Sequence, residues 1–261
     1  MQWELMHRPL PFAVLGMLES MEPARRRVER GHQTGLENIP CSLAFRYFTE
    51  DINNVARAEA ESVLQAIGGV LVKENRTLPY WKFEYEPKEI IDEIVASGCI
   101  PEHKSHQFYP TPEPLARRVV DLAEIGPSDL CLEPQAGQGG LAKFMPTDRT
   151  TCVEINSLHC DILRSKGFEA IQADFLTWHE AEGKFDRIIM NPPFSLGRWQ
   201  EHILAAVDKL KPGGRLVAIL PSGARSKAIL EGWACSWHGP YENEFPGTSV
   251  AVTVLVADKP Q

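Results

Sequence analysis

No Cys-x-x-Cys pair and no zinc-type spacing occurs among the six cysteines of this chain (Cys41, Cys99, Cys131, Cys152, Cys160, Cys235), so no metal site is expected. Several lie in apolar runs such as TTCVEI and read as small buried residues of a reduced, cytosolic protein. No apolar run is long enough to span a membrane. The stretch HRPLPFAVLGMLES has the length of a signal-peptide core, but Glu4 occupies the would-be basic segment and no small-x-small cleavage site follows. It is read as a packed N-terminal segment. Positive charge is scarce: 27 Lys and Arg face 35 Asp and Glu, a net charge of −8. That excludes a general basic coat and confines any nucleic-acid contact to a local patch. Internal repeats and low-complexity tracts are missing too. So is a Gly-x-Gly-x-x-Gly sequence, which disfavours a dinucleotide pyrophosphate as ligand.

What is present is a globular composition, 43% apolar and 24% charged over 261 residues. It fits one large domain, or an ordinary one with a smaller addition. From Ser128 onward strands alternate with helices: DLCLE, a Gly-rich turn with a short helix, TTCVEI, the helix NSLHCDILRSKG, FEAIQAD, FDRIIMN, the helix RWQEHILAAVDKLKPGG and RLVAILP. A short helix around ARSKAILEGW, a strand in SWHGPYENE and the β-branched strand TSVAVTVLVADK follow. This alternation predicts an α/β fold, a mostly parallel sheet with helices on both faces. Upstream, TEDINNVARAEAESVLQAIGG reads as a helix capped by Thr49 or Asp51, VLVKEN and YWKFEY as a hairpin, and EPKEIIDEIVASG as a second helix. Residues from about 50 to 98 are read as a small α+β module; the pattern before them places no element. The expected division is 1–105 for the N-terminal segment and module, and 106–261 for the α/β domain.

Three acids sit at three successive strand ends. Glu133 precedes a turn with Gly137, Gly139 and Gly140, where backbone can approach a ligand and helix N-terminal amides face it. Glu154 follows 21 residues later, the place where ribose hydroxyls are gripped. Asp174, in QADF, could accept a hydrogen bond from an adenine amino group. Each acid alone reads equally as a helix cap. After the fourth strand come Asn191, Pro192, Pro193 and Phe194. The two prolines fix two φ angles and hold the chain in a stiff, extended rim.

FYPTPEPLARRVV, LEPQAGQGG, VEIN, QADF, NPPF, GGRLVAILPSG and FPGTSVAVTVLVADK occur in the order seen in S-adenosylmethionine-dependent DNA adenine-N6 methyltransferases, which the segment from about Gln107 to Lys259 resembles. The N-terminal module before FYPTP is similar to that of phage- or mobile-element-encoded members. The resemblance implies a class I methyltransferase fold, Rossmann-like, with seven strands, the last antiparallel. It implies that Glu133, Ala136, Gly137 and Gly139 line the methionine part of S-adenosylmethionine. Glu154 would hold the ribose with Ile155 against the adenine, and Asp174 the adenine amino group with Phe175 beside the ring. Tyr109, Thr111 and Pro112 would close the pocket. Gln135 stands where the family often has a small serine.

In that chemistry the adenine amine is a poor nucleophile, its lone pair delocalised into the ring. The Asn191 carbonyl and the Pro192 backbone carbonyl would accept its two hydrogens and aim the lone pair at the methyl group. Phe194 would offer a face to a flipped base. DNA is the expected partner, with Arg198, Arg225 and Lys227 as basic contacts near the loop, and the chain is read as a monomer. The run Arg25–Arg27 with Arg30 reads either as a basic patch or as a solvated helix face. His103 and His106 are read as surface residues, Trp233 and Trp237 as packing residues. No recognition domain follows the last strand, so a short or relaxed sequence preference and steep salt dependence are expected. Methylation of a protein glutamine or an RNA base remains an alternative, as does a catalytically silent DNA- or cofactor-binding module.

Overall fold

The structure, a computed structural model, describes residues 7–30, 33–45, 54–74, 77–101, 109–179, 184–245 and 250–261. Two units divide the chain, Met1–His106 and Gln107–Gln261.

The first unit begins with β1 (His7–Pro9) and α1 (Phe12–Glu19), which buries Val14 and Leu18. The signal-like stretch is therefore a packed helix. A long antiparallel pair follows, β2 (Glu22–Arg30) and β3 (Gln33–Ala44), then α2 (Asn54–Ala66), β4 (Val70–Val72), β5 (Tyr80–Lys82), α3 (Lys88–Ser97) and β6 (Cys99–Pro101). The four-stranded sheet runs β2-β3-β5-β4, and β1 pairs with β6. The hairpin of β4 and β5 and both expected helices are present. The caps proposed for α2, Thr49 and Asp51, lie outside the described residues, as do His103 and His106. The unplaced segment before residue 50 supplies two of the four strands. The arginine run is a strand and not a helix face: Arg25, Arg26 and Arg27 pair in register with Asn38, Glu37 and Leu36. Cross-strand pairing overrides the weak local pattern there.

The second unit opens with α4 (Glu113–Leu122), whose buried Leu115, Ala116, Val119 and Val120 form one apolar stripe. Then come β7 (Cys131–Glu133), β8 (Thr150–Glu154), α5 (Ser157–Ser165), β9 (Glu169–Gln172), β10 (Phe185–Met190), α6 (Arg198–Lys209), β11 (Leu210–Pro221), β12 (Ala234–Tyr241) and β13 (Val252–Asp258). The sheet order is β12-β13-β11-β10-β7-β8-β9. β9, β8, β7, β10 and β11 are parallel; β13 runs antiparallel to both its neighbours.

Strand periodicity divides the core in two. Ile188, Met190, Leu216, Ala218 and Leu220 face the cluster that holds Trp199, Ile203 and Ala206 of α6. Ile189, Val217, Ile219, Val252 and Val254 face the opposite cluster, with Leu115 and Val119 of α4. A sheet buried on both faces needs such unbroken apolar runs, and each buried Ile, Leu or Val contributes about 1.5–3 kcal/mol. Asp186 fixes the register between strands: its carboxylate accepts from the Leu130 N–H and from Lys211 Nζ, each at 2.9 Å.

Two expected helices are shorter than their patterns suggest. After the glycine turn the chain makes only the 3-10 turns Ala142–Phe144 and Thr147–Arg149, because Pro146 drives Met145 into extended backbone. In ARSKAILEGW only the 3-10 turn Ser222–Ser226 forms; Ile229, Leu230 and Trp233 pack irregularly against the core, as Trp237 does from β12. The six thiols are free, and burial is uneven: Cys131, Cys152 and Cys160 are buried, Cys41 and Cys99 half-buried, Cys235 exposed. Among the described residues, no helix is long and apolar enough to cross a membrane.

Candidate active site

Strands β7, β8 and β9 end on one edge of the sheet, and the three acids stand there. Glu133 is 3% exposed, and its Oε2 accepts the Ala142 N–H at 2.7 Å. Glu154 accepts the Gly137 N–H at 2.7 Å with one oxygen and the Asn156 N–H at 2.9 Å with the other. Both acids therefore brace the glycine turn, which is also tied to β8 by the Ala136 N–H on Val153 O (3.1 Å). Burial pushes the Glu133 carboxyl well above the ordinary carboxylate range, and Glu154 up in the same sense, against the pull of these N–H groups. Gly137 and Gly139 have φ of 53° and 82°, and a Cβ at Gly139 would lie 3.1 Å from Leu163 Cδ2. Asp174 is half-buried, and among the described residues its carboxylate accepts only the Leu176 N–H, on Oδ1 at 3.0 Å. Asn156, and not Ser157, caps α5, accepting from the His159 N–H.

β10 delivers Asn191 to the same edge. Asn191 Nδ2 donates to Thr111 Oγ1 at 3.1 Å, across 80 residues of chain. Thr111 precedes α4, whose N-cap is Pro112, and its backbone nitrogen lies 3.5 Å from where a Gly140 Cβ would stand. The glycine turn, Thr111 and Asn191 thus form one contiguous wall. Pro192 is buried and Pro193 half-buried; Phe194 is half-buried and packs against the α4 cluster. Leu196 then adopts φ 55°, 88% exposed, before Gly197 turns into α6. Ile155 (39%) and Tyr109 (59%) are exposed apolar surfaces, while Phe175 is buried.

A parallel sheet whose seventh strand enters antiparallel between the fifth and sixth decides the architecture. This is the class I methyltransferase fold. Residues 141–235, about a third of the chain, match the family model described as Methyltransferase small domain. Strand order gives the second unit its fold, and the family-model match lies wholly within that unit. Similar solved structures include a candidate class I S-adenosylmethionine-dependent methyltransferase from Listeria monocytogenes, at 16% identity over 60% of this chain and 62% of that one (TM-score 0.48). A candidate RNA methyltransferase from Pyrococcus horikoshii has 20% identity over 59% and 88% (TM-score 0.46). TrmN from Thermus thermophilus has 17% identity over 82% and 69% (TM-score 0.46). The fold assignment rests on the strand order and not on these likenesses. No curated protein sequence matches the chain.

This edge of the second unit fits S-adenosylmethionine chemically. Glu154 and Asp174 present acceptor oxygens at this edge, Asp174 with capacity beyond its backbone bond, and exposed Ile155 supplies apolar surface for a purine. The basic residues are placed less uniformly. Arg198 is half-buried at the start of α6. Arg225 and Lys227 are exposed past the end of β11, but Arg225 Nη1 is committed to Gly239 O at 3.0 Å.

One pair escaped the sequence reading. Gln135 Nε2 and Nδ1 of His202, on α6, lie 2.8 Å apart, and the imidazole stacks on Phe175 at an interplanar angle of 10°. Gln135 Oε1 and His202 Nε2 are buried and, among the described residues, have no hydrogen-bond partner. The apolar stripe Trp199, Ile203, Ala206 marks the buried face of α6, and His202 lies on it; that register was the available signal. Burial first, then the charge of Arg198, lowers the His202 pKa to about 4, against Asp174. Because the folded pKa lies below the unfolded one, His202 contributes stability above pH 6.5 that is lost as pH falls toward 4. Urea unfolding at pH 7 and pH 4.5 should therefore show a smaller acid loss in His202→Asn than in the parent, by about 2 kcal/mol. Equal losses would refute a buried neutral imidazole.

Proposed function

We propose that the chain transfers a methyl group from S-adenosylmethionine to the exocyclic N6 of adenine in DNA. The observation that carries this reading is the Asn191–Thr111 hydrogen bond. With Nδ2 engaged by the Thr111 hydroxyl, Asn191 Oδ1 is held as an acceptor, the role an amino-group substrate requires. The Pro192 carbonyl would accept the second hydrogen, fixed by a backbone with little freedom. The cofactor supplies an electrophilic methyl group. Glu154 and Asp174 hold its ribose and adenine ends, with Ile155 and Phe175 flanking the purine; Glu133, Ala136, Gly137 and Gly139 shape the turn beside it. Tyr109, Thr111 and Pro112 bound the pocket from the α4 side. Phe194, half-buried against the α4 cluster, receives an unstacked base, with Arg198, Arg225 and Lys227 toward phosphates.

Incubation with methyl-labelled cofactor and DNA, RNA or cell extract, followed by digestion to nucleosides and amino acids, tests the reading. Label in N6-methyl-2′-deoxyadenosine from DNA is expected. Label confined to RNA nucleosides or to glutamine would replace the substrate; no transfer to any of them would leave a silent binding module.

A further inference from the structure

β2 and β3 extend well past the sheet they belong to. β3 pairs with β5 only at Ser42 and Leu43, whereas β2 and β3 pair continuously from Arg25↔Asn38 to Arg30↔Gln33. Among the described residues those six pairs have no further strand neighbour. At about 3.3 Å per residue they form a two-stranded ribbon roughly 20 Å long. In a chain of net charge −8, this ribbon carries Arg25, Arg26, Arg27 and Arg30 against Glu29 and Glu37. It is the local excess of positive charge that an acidic protein needs to approach a polyanion.

Directly opposed residues share a face. One face therefore carries Arg25 and Arg27 with Asn38 and Leu36; Arg26 and Glu37 lie on the other. Arg25, Arg26 and Arg27 are all exposed, and Leu36 is 65% exposed. The Arg27 guanidinium makes no hydrogen bond or ion pair among the described residues. Arg25 donates to Asn38 Oδ1 at 3.2 Å, and the exposed Arg26–Glu37 pair spans 3.4 Å, an attraction weak enough to be exchanged for a phosphate. Arginine, asparagine and an apolar side chain are the types that read guanine, adenine and the thymine methyl group. A two-stranded ribbon is what the B-form major groove, about 12 Å wide, admits. The deep, narrow major groove of A-form RNA does not admit one.

We infer that this ribbon is a DNA-reading arm, docking its Arg25–Arg27–Leu36–Asn38 face in the major groove of double-stranded DNA. The inference deepens the DNA-methylation reading and shares its substrate class, but it can fail separately. It also gives the unit in which no recognition element was legible a means of sequence preference.

Fluorescence anisotropy with the full chain tests it, using labelled DNA and RNA duplexes of the same mixed sequence over a salt series. The parent should bind the DNA duplex more tightly than the RNA duplex. Arg25→Ala/Arg27→Ala should lose at least about tenfold in DNA affinity together with discrimination between duplexes differing at guanine positions, whereas Arg26→Ala, which removes a phosphate contact, should lower the log K against log[salt] slope by about 0.9. Arg25→Lys/Arg27→Lys should keep the slope but discriminate less between duplexes differing at guanine positions. Parent-like circular dichroism and denaturant unfolding of the variants show that they remain folded. Parent-like DNA binding by the double alanine variant, or a parent that binds both duplexes equally, overturns the arm. Nucleoside analysis judges the methylation reading independently: label on RNA with arm-dependent DNA binding would sink that reading and keep the arm.

Discussion

Asn191→Ala should lower methyl transfer by roughly 10²-fold or more while changing cofactor affinity only a few-fold, as loss of one preorganised acceptor does. The substitution leaves the glycine turn, Glu154 and Asp174 untouched, since Asn191 bonds only to Thr111 within the wall. Thr111→Val supplies the companion measurement. It keeps the shape of residue 111 but frees the Asn191 amide to rotate, so turnover should fall by a smaller factor, about tenfold, with KM little changed. Single-turnover kinetics separate the two effects from product release. Normal transfer by Asn191→Ala would refute the proposed activation of the amine.

Glu154→Ala and Asp174→Ala should part company, although the sequence treats the two acids alike. Glu154 satisfies the amides of Gly137 and Asn156 in a buried setting. Removing it leaves two buried donors unpaired, at about 1–3 kcal/mol each, and loosens the turn. We expect a clear drop in the unfolding midpoint together with at least a tenfold loss of S-adenosylmethionine affinity. The Asp174 carboxylate accepts only the Leu176 N–H among the described residues and is half-buried. Its alanine variant should unfold near the parent midpoint yet bind the cofactor about 1.5–3 kcal/mol more weakly. Calorimetry beside denaturant unfolding reads both quantities. Unaltered affinity in both variants would leave the two acids as structural braces alone.

The strand-helix alternation after Ser128 was legible because a doubly covered sheet demands apolar runs, and residues 188–190 of β10, 216–220 of β11 and 254–257 of β13 supply them. The strand-end positions of Glu133, Glu154 and Asp174 follow from the same pattern. The direction of a carboxylate does not. Nothing in LEPQAGQGG announces that Glu133 turns inward to the Ala142 amide, or that Gln135 meets a histidine 67 residues away. Likewise Thr111 lies beside Gly140 and Asn191 only after α4 has packed on the sheet. The β2–β3 ribbon was illegible for a different reason. Its outer half borrows no core face, so neither period 2 nor period 3.6 is written into PARRRVER, and the strand exists only through its partner.

The bracing of the glycine turn bears on how quickly the cofactor site can change shape. With Gly137 held by Glu154, Ala142 by Glu133 and Ala136 by Val153, three amides of one short loop are engaged in advance. Little segmental ordering is left for the moment of encounter, so amide hydrogen exchange at these three positions should be slow and nearly the same with and without bound cofactor. The contrast belongs to Ile155 and Tyr109, whose exposed side chains have no such restraint and are where burial by a ligand should register as new protection of the surrounding backbone.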